Sequence, residues 1–248
     1  MEQILSGKTA KRYGGRFTSS KIHALTKLNR KKDDFGAPAL TYIKEKKIEL
    51  LLKDSVSSYA HSKALAWGNF VEVFCYHKCL ELDFGYILNS KETQLHPKYS
   101  EYWSGACDME YFKGDKLHAI SEIKCYQKKG FALYAEMLQK KDIELFKKEY
   151  PQEYWQIVSN ACIHEVDFGE AIAFMPFKKD YEVLKGMAEN YESVDAWKYR
   201  FIYEDKIWQL PFLNEDSSFN DIERFMFEVP KEDKEFLTSQ VEKAIKLL

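Results

Sequence analysis

Apolar residues recur with a helical period through the first third of the chain. The segments Thr18 to Leu28, Pro38 to about Ser58 and Ser62 to about Leu82 each show this spacing, which predicts three helices. The first and third begin with serine or threonine, the residue types typical of an N-cap, and the second begins at a proline that suits a first helical turn. The amino-terminal third is therefore expected to be helical.

Strand patterns follow. The runs Trp103 to Phe112 and Leu117 to Tyr126 flank a turn-like segment at 113–116 and predict a β-hairpin. Shorter apolar runs at 84–88, 170–177 and 197–203 predict further strands, and helical patterns occupy 131–148, 152–165, 181–191 and 231–248. This order indicates an α/β architecture, in which helices flank a central mixed β-sheet.

The composition fits one globular domain. The chain has 248 residues, of which 45% are hydrophobic and 15% aromatic, enough to bury a large core. No apolar run approaches the roughly 18 residues that a membrane helix requires, so no contact with a membrane is expected. Five scattered cysteines without a CxxC pair, and no secretory signal, indicate a reducing cytoplasm.

The charge distribution is more informative than the net charge of −2, which argues against coating nucleic acid through bulk positive charge. Nine basic residues and no acidic residue lie between positions 8 and 32. Such a segment can neutralise several phosphates, so about residues 1–32 are predicted to contact DNA. The alternative is a solvated, partly disordered arm.

Candidate chemistry lies in the predicted hairpin. Glu122 and Lys124 are two residues apart and share one face of a strand, while Ile123 points to the other. A four-residue loop would place Asp108 opposite Ser121, so for Asp108 to join that face we predict an odd-length loop or a bulge. Two neighbouring carboxylates repel each other unless a cation with oxygen ligands offsets their charge, and magnesium is the natural candidate.

This pattern alone is weak, because alternating charges on an exposed strand are common. Three further motifs accompany it: RFTSSKI begins at Arg16, WGNFVE ends at Glu72, and EYWQIVSNACI contains Gln156. Together with GACDME around Asp108, these motifs resemble in order and spacing those of the PD-(D/E)xK nuclease superfamily. The resemblance is to its lambda-exonuclease-like, YqaJ-type branch of viral recombination nucleases, and it extends from about Arg16 to Pro176.

Two positions depart from that pattern, since Cys107 and Met109 stand where the branch often has proline and glycine. The resemblance implies a single nuclease domain, with a restriction-endonuclease-like core at 62–177 and additions at 178–248. It implies an enzyme that uses Mg²⁺, for which Mn²⁺ can substitute. The implied catalytic residues are Asp108, Glu122, Lys124, Glu72 and Gln156, and the implied metal ligands are Asp108, Glu122, Glu72 and the backbone carbonyl of Ile123.

The residues expected to bind DNA lie near the amino end and before the hairpin. Arg16, Thr18, Ser19 and Ser20 match residues that hold a terminal 5′ phosphate in this branch, and a guanidinium with hydroxyls at a helix start suits that role. For the serines, helix capping is the alternative, and the two roles can coexist. Trp103, beside the predicted site, is expected to contact DNA.

The implied activity is that of a 5′→3′ exonuclease on the ends of linear double-stranded DNA, which leaves single strands for recombination in a bacterial or phage-infected cytoplasm. A single-strand annealing protein as partner and a homotrimer are implied by analogy alone. Two alternatives remain open: an endonuclease of restriction or CRISPR-associated type, and a non-catalytic DNA-binding protein. The absence of a four-cysteine iron–sulfur pattern counts against the CRISPR-associated type, and the retained motif residues count against the binding protein.

Overall fold

The computed structural model describes residues 14–56, 62–83, 85–88 and 92–248. Its α-helices are α1 (Ala37–Leu52), α2 (Lys63–Leu82), α3 (Lys128–Gln139), α4 (Ile143–Glu149), α5 (Pro151–Ile163), α6 (Tyr181–Glu189), α7 (Phe201–Glu204) and α8 (Lys231–Ile245). Its strands are β1 (Phe17–Thr18), β2 (Tyr86–Leu88), β3 (Gln94–Leu95), β4 (Trp103–Gly105), β5 (Met109–Lys113), β6 (Lys116–Lys124), β7 (Phe168–Phe174) and β8 (Ile222–Glu228). The 3₁₀ helices are Ser19–Thr26, Lys178–Asp180, Ala196–Tyr199 and Ile207–Gln209.

Five strands form the central sheet in the order β2-β5-β6-β7-β8. Strands β6 and β7 are parallel, and the other neighbours are antiparallel. Because alternate side chains of a strand point to opposite faces, the sheet separates two cores. One core packs against α3, α5 and α8, and the other against α2, α6 and α7. The predicted α/β architecture with a mixed sheet between helices is confirmed.

A second, smaller sheet has the order β1-β4-β3. Its middle strand, Trp103–Gly105, was predicted to belong to the hairpin, but it pairs with Phe17–Thr18 and Gln94–Leu95 instead. This prediction is therefore wrong for the first part of the run. The pairing places the amino-terminal motif that begins at Arg16 beside the segment that leads to Asp108.

Other predicted boundaries also need correction. The helix expected at 131–148 is divided at Lys141, which has a φ of 54°, and Asp142 caps the helix that follows. The segment 197–203 forms helical turns rather than a strand. Strand β8 was missed, although its buried Phe225 and Phe227 alternate with less buried neighbours. Helix α1 ends at Leu52, whereas its expected end at about Ser58 lies outside the described residues.

The start of the described chain is hydrogen-bonded to a buried ion pair within α1. Lys46 Nζ lies 2.8 Å from Glu49 Oε2, which also accepts a hydrogen bond of 2.9 Å from the Gly15 N–H. The described lysines and arginines of the predicted DNA-contacting segment from position 21 to 32 are exposed, and its earlier basic residues, Lys8, Lys11 and Arg12, lie outside the described residues. Within the described part, no helix is long and apolar enough to cross a membrane.

Gly105 is a close contact point between the small sheet and α5, and this can be tested. A β-carbon at Gly105 would overlap both Ser19 Oγ and Asn160 Oδ1. We expect Gly105→Ala to lower the free energy of unfolding by about 2–3 kcal/mol, the upper range for overpacking. At Gly68 a β-carbon would lie 3.6 Å from the Cys125 carbonyl oxygen, an ordinary contact.

Gly68→Ala is therefore the matched control, and it should be neutral or stabilise α2 by up to ~1 kcal/mol through helix propensity. Urea unfolding of the two variants and the wild type measures both effects. Equal changes in the two variants would contradict the packing described at Gly105.

Candidate active site

A bulge in the hairpin brings Asp108 to the face that carries Glu122. The turn itself is only two residues long, at 114–115, and the register then shifts by one, so that His118 is the extra residue of β6. As a result Met109 pairs with Ser121, and the next position, Asp108, is level with Glu122. Without the bulge Asp108 would face Ser121. The predicted irregularity is confirmed.

Asp108 is half-buried and is held by the backbone of β6. Its N–H donates to the Ser121 carbonyl over 3.1 Å, and the Ile123 N–H donates to its Oδ2 over 2.7 Å. The side chain of Ile123 lies in the opposite core, as its position between Glu122 and Lys124 predicts. The backbone of β6 thus fixes Asp108, and β6 presents its own Glu122 and Lys124 side chains on one face.

Glu122 is a buried carboxylate, only 1% exposed. Asn160 Nδ2 donates to its Oε1, and Gln156 Nε2 donates to its Oε2 over 2.6 Å. Both donors lie on α5 one turn apart, so a single helix face serves both carboxylate oxygens. Burial, and after it the charge of Asp108, raise the pKa of Glu122 well above its usual range. Ionised Glu122 is therefore a cost to the metal-free fold.

Lys124 extends this hydrogen-bonded group. Its Nζ donates to Gln156 Oε1 over 3.1 Å and lies 3.6 Å from Glu122 Oε2. Because an ammonium group only donates, the oxygen of the Gln156 amide must face Lys124, and its nitrogen must face Glu122. Burial lowers the pKa of Lys124, but the neighbouring carboxylates, Glu122 and Asp108 first among them, outweigh burial and raise it above its usual value. Lys124 therefore carries its charge.

Glu72, half-buried on α2, adds negative charge to the same site. Its carboxylate contributes to the raised pKa of both Glu122 and Lys124. A side chain at Gly68, one turn before Glu72, would make only ordinary contacts with Cys125, just after β6. The position of Glu72 therefore does not depend on a glycine at that turn of the helix.

The carboxylates of Glu72, Asp108 and Glu122 are chemically suited to a hard divalent cation. They offer oxygen donors only, the type that Mg²⁺ and Mn²⁺ prefer, and a cation would offset the repulsion that raises the pKa of Glu122. Their ligand oxygens do not all lie within 4.8 Å of one another. Among the described residues, the group of three potential ligands that lies within 4.8 Å of one another is a different one, made of a cysteine, a glutamate and a histidine.

Two residues predicted to contact DNA are buried instead, and those predictions are corrected here. Trp103 is fully buried, and Ser19 is 2% exposed. Ser159 Oγ joins them, since it accepts a 2.8 Å hydrogen bond from Trp103 Nε1 and shares another of 2.8 Å with Ser19 Oγ. Trp103 and Ser19 therefore lock β4 and the 3₁₀ helix Ser19–Thr26 onto α5, beside Asn160.

The other predicted phosphate-binding residues lie at or near the surface. Arg16 Nε donates to the Ser100 carbonyl over 3.0 Å, and Thr18 Oγ1 lies 3.5 Å from the hydroxyl of the exposed Ser20. The helix here is a 3₁₀ helix, and no side chain caps it at Thr18. The helix-capping alternative for these hydroxyls is therefore not supported.

Asn160 is a site residue that the sequence reasoning missed. It follows Gln156 by four residues, so it lies on the same face of α5, and that spacing was the available signal. Besides Glu122, its Nδ2 reaches the Ala106 carbonyl at 3.4 Å, in the segment that leads to Asp108. Asn160 thus connects the buried carboxylate to the chain that positions the second acid.

A mixed sheet thus lies between two helical layers, with Asp108, Glu122 and Lys124 grouped at its central hairpin. No protein-family model matches the chain, and no curated protein matches it. Solved structures do match it. The alkaline exonuclease LHK-Exo from Laribacter hongkongensis superposes with a TM-score of 0.60 at 11% identity, over 95% of this chain and 88% of that chain.

A structure of LHK-Exo in complex with dAMP gives the same TM-score and identity, over 94% of this chain and 87% of that chain. A phage-related exonuclease from Haemophilus somnus 129PT matches with a TM-score of 0.59 at 14% identity, over 94% and 93% of the two chains. The chain has the fold of these exonucleases, and the resemblance inferred from the motifs is confirmed at the level of the fold.

Removal of the Asp108 charge should stabilise the metal-free protein at alkaline pH. In Asp108→Asn the amide oxygen can still accept from the Ile123 N–H, while a cause of the raised pKa of Glu122 is lost. The folded pKa of Glu122 lies above its usual value of 4.5, so its ionisation costs stability. That cost is complete above the folded pKa and absent below the unfolded one.

We therefore expect Asp108→Asn to gain about 1 kcal/mol of unfolding free energy at alkaline pH, with the gain vanishing as the pH falls below the unfolded pKa. Urea unfolding in excess chelator across this range measures it. Asp115→Asn, on the exposed turn of the same hairpin, is the control and should show no comparable gain. Equal stability of Asp108→Asn and wild type at alkaline pH would contradict the electrostatic account.

Proposed function

We propose that the protein is a magnesium-dependent deoxyribonuclease, specifically a 5′→3′ exonuclease that acts on linear double-stranded DNA and leaves single strands for recombination. The observation that carries this proposal is the buried carboxylate of Glu122, which is 1% exposed and linked through Gln156 to Lys124. A buried carboxylate with a raised pKa is costly, and a purely structural site would gain by replacing it with apolar groups. We assign the activity to one domain with its core at 62–177.

The metal ligands in this proposal are Glu72, Asp108, Glu122 and the backbone carbonyl of Ile123. When bound, magnesium supplies Lewis acidity toward the phosphodiester and makes a bound water more acidic. Manganese accepts the same oxygen ligands, so it should substitute for magnesium. The unfavourable charge of Glu122 in the metal-free protein would then become the source of metal affinity.

The remaining side chains position the reacting groups. Lys124, with its ammonium group 3.6 Å from Glu122, is placed to orient the attacking water or to offset charge on the phosphate. Gln156 and Asn160 fix the direction of both Glu122 oxygens. Water attacks phosphorus, the bond to the 3′ oxygen breaks, and that oxygen leaves with a proton, so no covalent enzyme intermediate is needed.

The DNA end is proposed to meet the amino-terminal segment. Arg16, Thr18 and Ser20 lie at or near the surface there, and exposed basic residues follow up to position 32. The structural neighbours support an exonuclease, since they are an alkaline exonuclease and a phage-related exonuclease, and one structure holds dAMP, a nucleotide of the class that such a reaction releases. A single-strand annealing partner and a homotrimer remain part of the proposal by analogy.

Digestion of linear duplex DNA labelled at either end is the direct test. With magnesium, we expect loss of label from the 5′ end first, and no digestion in excess chelator. Lys124→Ala should reduce the rate at least about 100-fold, because electrostatic groups of this kind contribute two or more orders of magnitude to kcat. Lys113→Ala, an exposed lysine of the same hairpin, should digest DNA at the wild-type rate.

Closed circular DNA distinguishes the exonuclease from an endonuclease, because a circle offers no end. We expect the circle to remain intact while linear DNA is degraded. Cleavage of the circle would favour the endonuclease, and failure to cleave linear, nicked and circular DNA would contradict the nuclease proposal.

Arg16 should discriminate between DNA ends. If its guanidinium meets the terminal phosphate, Arg16→Ala should lower kcat/KM on 5′-phosphorylated ends by roughly tenfold or more, the effect of losing one charged hydrogen bond. Unphosphorylated ends should be affected much less. Arg30→Ala, in the same basic segment, is the control and should affect both ends alike. Equal losses on both ends in Arg16→Ala would remove this assignment.

A further inference from the structure

A second group of potential metal ligands lies beside the proposed nuclease site. Cys107, Glu110 and His164 bring a thiol sulfur, a carboxylate oxygen and an imidazole nitrogen within 4.8 Å of one another. His164 Nε2 lies 3.7 Å from Cys107 Sγ, and His164 Nδ1 lies 3.3 Å from Glu110 Oε1. The three residues come from the segment before β5, from β5 itself and from the end of α5, so the fold rather than local sequence assembles them.

The geometry of this group is close to that of a coordinated ion. With a Zn–S distance of about 2.3 Å and a Zn–N distance of about 2.0 Å, a tetrahedral zinc ion holds its sulfur and nitrogen ligands about 3.5 Å apart. The observed separation of Cys107 Sγ and His164 Nε2 is 3.7 Å. The pair can therefore accept an ion between its two donor atoms with little movement.

The burial of these side chains also favours a metal site over a chance contact at the surface. Cys107 is 1% exposed, and the side chain of His164 is 6% exposed. Glu110 is more open, at 24% of its side chain, and provides the side from which an ion can arrive from solvent. Buried side chains that converge in this way have few alternative positions, so the donor atoms are pre-arranged.

We propose that Cys107 and His164 bind a thiophilic divalent cation of the zinc class, and that Glu110 orients the imidazole. A carboxylate on Nδ1–H leaves the Nε2 lone pair directed at the ion, which is the usual support of a metal-bound histidine. Thiolate and imidazole select zinc, whereas magnesium prefers oxygen ligands. On binding, the thiol of Cys107 loses its proton to solvent, and water fills the remaining positions on the ion.

The bound ion would connect two elements of the nuclease site without using its ligands. Cys107 directly precedes Asp108, and His164 is the C-cap residue of α5, the helix that carries Gln156 and Asn160. The ion would therefore hold the first acid against the helix that orients the second. Because none of the proposed magnesium ligands takes part, this inference does not rest on the proposed nuclease function.

Cobalt is the probe for the site, because a Co²⁺–thiolate bond gives a charge-transfer absorption band that zinc then removes by displacement. Metal-free wild type titrated with Co²⁺ should develop this band. Cys107→Ser and His164→Ala should lose it, and Glu110→Gln should weaken Co²⁺ binding by about 10–100-fold. Cys162→Ser, which removes a different thiol, located on α5, is the matched control and should keep the band.

Thermal unfolding gives a second readout that does not depend on the thiolate band. Zn²⁺ at about a hundredfold excess over its Kd should raise the Tm of wild type and Cys162→Ser by roughly 5–10 °C, and should leave Cys107→Ser unchanged. If Cys107→Ser does not fold, the cobalt titration and the Zn²⁺-induced change in Tm are measured on His164→Ala instead, and they decide the question. A band that persists without Cys107, or a Zn²⁺ shift that is equal in wild type and the site variants, would overturn the proposal.

Asp108→Asn separates the two sites. It should keep the cobalt band while it loses the proposed nuclease activity, so a failure of one proposal does not imply a failure of the other. Loss of the cobalt band in Asp108→Asn would mean that the Asp108 carboxylate helps to bind the thiolate-bound ion, and it would overturn the separate site.

Discussion

A carboxylate that is 1% exposed must find a donor for each oxygen inside the protein, and Glu122 finds both on one helix. Gln156 and Asn160 on α5 supply them, and the amide of Gln156 passes the interaction on to Lys124. Helix α5 must therefore lie across β6 at the level of Glu122, and the face that carries Gln156 and Asn160 must point toward the strand. Much of the surrounding structure follows from that placement.

The amino-terminal segment is attached to the same helix. Ser159, next to Asn160, shares hydrogen bonds with Ser19 and Trp103, which fasten the 3₁₀ helix and the small sheet to α5. Gly105 allows this approach, because a side chain there would overlap Ser19 and Asn160. The residues proposed to meet the DNA end are thus connected through one helix to the residues proposed to cut it.

The sequence predicts the parts of the site that depend on spacing within one element. Glu122 and Lys124 share a face because they are two apart in a strand, and the requirement that Asp108 join them predicts the bulge now seen at His118. The position of Asn160 was predictable in the same way, because it lies four residues after Gln156 and so shares its face of α5, but this residue was overlooked. These are local rules of period and register.

Features that depend on distant partners were not predictable in this way. Trp103 looks like a surface aromatic until its partners are known, and those partners are Phe17 in the paired strand and Ser159 on α5. The residues 197–203 favour a strand by type, but Tyr199 packs on Phe70 of α2 as part of helical turns, so tertiary packing overrides local preference. Likewise, nothing in the sequence places Cys107 against His164.

The central claim is that the buried charge of Glu122 is retained to bind a metal ion. Calorimetric titration of magnesium into the wild type and into the double variant Asp108→Ala, Glu122→Ala tests this most directly, with circular dichroism to show that both are folded. We predict saturable binding to the wild type and none to the double variant. Equal binding by the two proteins would contradict the claim and would favour a DNA-binding protein that has kept the nuclease fold.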